Sequence, residues 1–164
     1  MLGALLVACV GAMLGALPQA LIPAPVRAAL LDLVAFVVLG RELGLWRFAV
    51  PENARLVPED VQHRAHWGAL QFGFEMGTGM RTYSPSALPH LVLAAVVLVV
   101  PLPVAPLVAT GFAVGRFMMP VLSNAWSDDG GWTELWSAAE PVLRPVLACA
   151  SVGALTVATL TGWP

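Results

Sequence analysis

The chain contains no lysine, and all eight of its basic residues are arginine. We read that as codon usage in a GC-rich genome, not as function. Charge of either sign is scarce: Asp, Glu and Arg together make up 11% of residues, where ordinary soluble domains carry about 25%. A soluble domain of this length needs a polar coat, and too few polar side chains are present to make one. Net charge is −2 and no basic run occurs, which excludes nucleic-acid binding by charge alone. Cysteine is limited to Cys9 and Cys149, both inside apolar runs. There is no Cys-x-x-Cys and no Cys/His metal spacing. His63 and His66 lie three apart, and His90 stands alone; with no third ligand type nearby they read as solvated loop histidines. Met118-Met119 is too short for a copper site. A Ser-His-Asp arrangement, a phosphate loop and an HExxH motif are all missing. The sequence therefore assigns no catalytic residue, no metal and no cofactor.

What remains is apolar. The hydrophobic fraction is 59% and the mean hydropathy +0.81. Lipid is the solvent in which such an outer surface is stable. The expected class is all-α: a polytopic transmembrane helical bundle, one unit over residues 1–164, multi-pass in the cell membrane, with the lipid bilayer as its first partner. Met1 to Val26 is uncharged and lacks the basic start of a signal peptide, so it reads as a retained first span.

Proline and charge divide the chain. The first run is Met1 to Leu21, with Pro18 placed to kink or end it. Ile22-Pro23-Ala24-Pro25 is a tight connection. The second run is Val26 to Leu45. Arg47 to His66 is a polar loop, with room for a short helix after Pro58. Trp67 to Met80 is short, glycine-rich and carries one acid; it fits a short helix, a re-entrant segment or a buried loop. Thr82 to Gly115 has no formal charge, and Pro101, Pro103 and Pro106 break it into a hairpin, Pro85 to Val100 and Val104 to Leu122. Ser123 to Glu140 is an acidic loop whose Trp132 and Trp136 share a helix face, as in a short helix at headgroup level. Pro141 to Trp163 is the last span.

Parity sets the count. The arginine-bearing loop belongs in the cytoplasm and the arginine-free acidic loop outside, so an odd number of crossings separates them. Six spans satisfy this if residues 67–80 cross; four do if neither that segment nor the hairpin does. Six spans divide into halves 1–80 and 85–164, each a tight proline hairpin followed by a loop and a third helix. Three spans per half predict inverted three-helix repeats.

Glu75 and Arg81 are the leading candidate binding residues. Glu75 lies in FGFEMGTG with apolar or glycine neighbours, and a carboxylate in the membrane is costly unless paired. Gly77 and Gly79 permit unwound backbone beside a ligand or partner. A functional site and an interfacial Glu–Arg pair closing a turn stand as equal readings. Arg116 precedes seven apolar or weakly polar residues and is expected to face the bundle interior. Arg41 and Glu42, near a helix end, fit snorkelling to the headgroups; Asp32 fits either environment. Four Gly-xxx-Gly pairs, Gly11/Gly15, Gly40/Gly44, Gly73/Gly77 and Gly111/Gly115, are read first as close packing within the chain.

The stretch FGFEMGTGMRTYSPSALPH resembles a motif of small polytopic membrane proteins from high-GC bacteria, grouped with the methylamine-utilisation membrane protein and CcdA-type thiol-electron transporters. The resemblance covers roughly residues 55–100. It implies two three-helix halves with a cysteine in the first helix of each. Cys9 fits the first position, but Pro85 to Val100 has no cysteine and Cys149 lies in the last span. Three functions follow. The favoured one is a non-catalytic component that assembles with, stabilises or matures a partner membrane or exported protein, or a second copy of itself. The second is a small secondary transporter using Glu75, Arg81, Arg116 and Arg41 where the halves meet. The third is a thiol relay through Cys9 and Cys149.

Overall fold

The computed structural model describes residues 2–50, 86–125 and 131–162. Every regular element among them is an α-helix: α1 (Leu2–Leu21), α2 (Ala24–Glu42), α3 (Leu88–Leu98), α4 (Ala105–Ala125) and α5 (Gly131–Leu160). Proline sets most boundaries. Pro25 sits in the first turn of α2, where a missing N–H costs nothing. The expected hairpin forms, with α3 ending just before Pro101 and α4 starting at Ala105. Pro18 and Pro141, read as points where a helix bends, ends or begins, lie inside helices. α1 runs through Pro18, and α5 runs unbroken through Pro141 and Pro145. The expected short helix around Trp132–Trp136 and the last span are thus one 30-residue helix.

Among the described residues, three helical stretches are long and apolar enough to cross a membrane: Gly3–Leu21, Ala105–Ser123 and Glu134–Leu160. α2 is 19 residues long but carries Arg27, Asp32, Arg41 and Glu42. α3 has 11 residues, about half the length of a straight span.

The helices form a row in the order α4, α1, α3, α2, α5. Lipid gives apolar helices no hydrophobic reason to associate, so close packing of small residues must do so. Ala4, Ala8 and Ala12 of α1 share a buried cluster with Ala105, Ala109 and Ala113 of α4. Gly11 and Gly15 let α1 approach α3; a Cβ on Gly15 would lie 2.9 Å from the Val97 Cα. This glycine pair packs as expected. Gly40 and Gly44 do different work, described below. At Gly111 and Gly115 an added Cβ would meet nothing within 4 Å among the described residues, so that pair packs against none of the described helices. Gly73/Gly77 lies outside the described residues.

Direction follows from the contacts. Gly11 approaches Leu93 and Val96, Gly15 approaches Val97, and Gln19 bonds the Val100 carbonyl. α1 and α3 therefore run parallel. The first helices of the two proposed halves are not inverted relative to each other, and inverted repeats are not what the described helices show. The C-terminus of α2 meets the N-terminus of α3 through Glu42 and Ala87, and Val50 packs on the cluster holding Ala87. The chain thus re-enters the described fold at Ser86 on the end it leaves at Val50. Six spans required residues 67–80 to carry it across, and the flanking residues do not confirm that. We call this end, with Glu42, the arginine end. The opposite end holds the α1–α2 and α3–α4 turns and the C-terminus of α5.

α3 lies at the centre of the row, and its end turns leave backbone groups without a partner inside the helix. Side chains of α1 and α2 satisfy them. Gln19 Nε2 donates to the carbonyls of Val97 and Val100, each at 3.1 Å. Arg27 Nη1 donates to Leu98 O at 2.8 Å, a cation at the negative end of the helix dipole. At the other end Glu42 accepts from Ala87 N.

Candidate functional site: a buried carboxylate between two arginines

Local sequence places Glu42 inside. Leu31, Ala35 and Val38 form the buried face of α2, and the same spacing continued one turn reaches Glu42. On α5, Ala148 is buried, Val152 and Leu155 pack on the α2–α3 cluster, and Arg144 lies one turn before Ala148. The two stripes run antiparallel. Their polar residues meet at both ends, Glu42 with Arg144 and Asp32 with Thr159. The Thr159 hydroxyl donates to Asp32 Oδ1 at 3.3 Å.

The Glu42 side chain has no exposed surface. Oε2 accepts from Arg144 Nε at 2.6 Å. Oε1 accepts from Arg41 Nη1 at 3.0 Å and from Ala87 N at 2.7 Å. Three donors on one carboxylate, two of them cationic, compensate the loss of water that makes a buried charge unfavourable. The α3 N-terminus adds its positive dipole end. Snorkelling, expected for both Arg41 and Glu42, is therefore corrected for Glu42: it lies on the inward stripe, and partners on α3 and α5 hold it there.

The chain after α2 closes over this cluster. Gly44 has φ +75°, a left-handed conformation that glycine adopts without a Cβ penalty. Gly44 N–H donates to Arg41 O at 3.0 Å and Leu45 N–H to Gly40 O at 2.9 Å, which is a Schellman cap. The reversal lays the Trp46 indole on Gly40, where no Cβ intervenes. Trp46 Nε1 donates to Val37 O at 2.9 Å, and its ring lies 5.8 Å from that of Phe36. Arg41 Nε donates to Phe48 O at 3.2 Å, and its guanidinium lies 5.7 Å from the Phe48 ring centre. The Gly40/Gly44 pair thus serves a cap and an indole contact, not helix–helix packing.

Arg41, Glu42, Gly44, Trp46, Arg47, Phe48, Ala49 and Arg144 line an open pocket of about 450 Å³. Of the residues singled out from sequence, Arg41 belongs here. Arg116 is on α4, and α1 and α3 stand between α4 and α2 in the row, so the structure does not bring Arg116 and Arg41 together. Glu75, Gly77, Gly79 and Arg81 lie outside the described residues. Arg144 was missed; its place on the inward stripe of the last helix was the available signal. Cys9 and Cys149 are free thiols on α1 and α5, which α3 and α2 separate. No known protein family, no curated protein and no solved structure matches this chain.

Proposed function

We propose that the chain is a multi-pass protein of the cell membrane acting as a non-catalytic component that assembles with and stabilises a partner membrane protein. The observation that carries this reading is the pair Gly111 and Gly115 on α4, against which no described residue packs. Glycine within a helix costs about 1 kcal/mol relative to alanine, and lipid gains nothing from it. Glycines one turn apart on an outer face suit the close approach of another helix backbone. Leu107, Val114 and Phe117 of α4 are also exposed and would flank that contact.

In the bilayer the described helices make five crossings in this reading, with the short α3 held at both ends by polar side chains. Arg41, Arg47 and Arg144 lie at the arginine end, against Arg27 at the other. That bias puts the arginine end in the cytoplasm. Ala125 and Gly131 belong to the same end, because α4 runs back along α1 and Trp136 of α5 lies near Ser86.

The test is a photo-crosslinking residue at Val114, between the two glycines, in native membranes. One discrete adduct is expected, and Gly111→Leu with Gly115→Leu should abolish it. An adduct only of twice the 17.2 kDa chain mass would replace the partner by a second copy. Adducts with lipid alone would overturn the reading.

A further inference from the structure

The pocket at the arginine end has donors that nothing in the described chain uses. Arg144 spends Nε on Glu42, and its two Nη groups have no partner among the described residues. Its side chain is 34% exposed. Arg47 is exposed, lines the same pocket and has no hydrogen-bond partner among the described residues. Among the described residues the lining carries three arginines and one carboxylate, and that carboxylate already accepts three hydrogen bonds. The unused donors of Arg47 and Arg144 therefore face the pocket without a described acceptor.

We propose that this pocket binds a phosphate-bearing anion at the membrane boundary, with Arg47 and Arg144 as its ligands. Guanidinium forks match phosphate oxygens in pairs. The volume of about 450 Å³ falls in the range of small-ligand sites, about 300–1,000 Å³. Its level also fits. α2 is 19 residues long, or about 28 Å, close to the hydrocarbon thickness of about 30 Å, and the pocket stands where α2 ends. Trp46 in its wall is the residue type that marks headgroup level. Phe36, Leu43 and Leu45 are exposed beside it, an apolar surface along which acyl chains can lie. Glu42 acts as a positioning residue: it fixes Arg144 Nε from one side and leaves the Nη groups for the anion. The proposal does not depend on the α4 face.

The same phosphate chemistry comes from a lipid headgroup or from a free phosphate, and one experiment separates them. The purified full chain is titrated in detergent with phosphatidylglycerol, with phosphatidylcholine of the same acyl composition, and with inorganic phosphate. Retained lipid is counted by native mass spectrometry, and melting temperature is recorded alongside. Selective retention of phosphatidylglycerol assigns the site to an anionic headgroup. Stabilisation by inorganic phosphate without lipid selectivity assigns it to a soluble anion. In either case R47Q should weaken binding by about tenfold or more, as loss of a charge-assisted contact does. Because Arg47 supports no other described contact, the ligand-free melting temperature of R47Q should match the unaltered chain. R144K keeps a cation on Glu42 but loses the fork, and should also bind more weakly. Equal retention of both lipids with no response to phosphate overturns the proposal, as does unchanged affinity in R47Q and R144K.

Discussion

Replacing Glu42 by glutamine tests the cluster that joins α2, α3 and α5. Glutamine has nearly the same shape, and its carbonyl oxygen can still accept from Ala87 N. What it loses is the charge that Arg41 Nη1 and Arg144 Nε share. A hydrogen bond to a charged group is worth about 1.5–3 kcal/mol. Arg41, 16% exposed, loses one charge-assisted contact while its Nε still donates to the Phe48 carbonyl. Arg144, 34% exposed, recovers part of its share from water. The sum is about 3 kcal/mol, at the low end of the range for breaking a buried ion pair. For a chain of 164 residues, about 3 kcal/mol lowers Tm by roughly 6–12 °C. The assay is thermal unfolding in mild detergent followed by circular dichroism. Arg144→Gln should also destabilise, and Glu42→Gln with Arg144→Gln should cost less than the two losses added. A Glu42→Gln protein that melts within about 1 °C of the unaltered chain, or strict additivity, would refute the reasoning.

Other predictions follow from the packing. Gly15→Val drives a side chain into the Val97 backbone and should cost about 1–3 kcal/mol or more, read as a lower melting temperature; Gly111→Ala, which meets no described atom, should stabilise the isolated chain by up to about 1 kcal/mol. Gln19→Leu strips the donors from the α3 terminal carbonyls and should destabilise by about 1–3 kcal/mol, with faster amide exchange in residues 96–100 as the local check. Cys9→Ser with Cys149→Ser should leave stability and any reconstituted activity unchanged, since both thiols are free and lie on helices that are not neighbours; loss of activity with an intact fold would return attention to thiol chemistry.

The sequence makes the solvent of this protein legible. The scarcity of charge and the length of the apolar runs lead directly to helices suited to lipid. Proline marks the α1–α2 and α3–α4 hairpins correctly because a turn follows where no N–H can continue the helix. It misleads at Pro141, read as the start of the last span, where one helix carries on from Gly131. The inverted-repeat reading rested on counting spans. Helix direction is a long-range property, and only the contacts of Gly11, Gly15 and Gln19 show that α1 and α3 run parallel. Glu42 was readable in principle. Its place one turn beyond Leu31, Ala35 and Val38 puts it on the inward stripe, but its nearness to a helix end favoured the snorkelling reading. Arg144 could be paired with it only once α5 was known to lie against α2, 102 residues away in sequence.

The orientation of the row in the bilayer is the claim on which the rest depends. Single cysteines at Ala49, Ala125 and Thr161, each exposed, can be introduced into a chain lacking Cys9 and Cys149 and labelled in sealed vesicles with a membrane-impermeant thiol reagent. Ala49 and Ala125 should label from the cytoplasmic side and Thr161 only from the other. Labelling of Ala49 and Ala125 from opposite sides would contradict the arrangement and restore an odd number of crossings between them. Labelling of all three from one side would show that the helices do not cross at all.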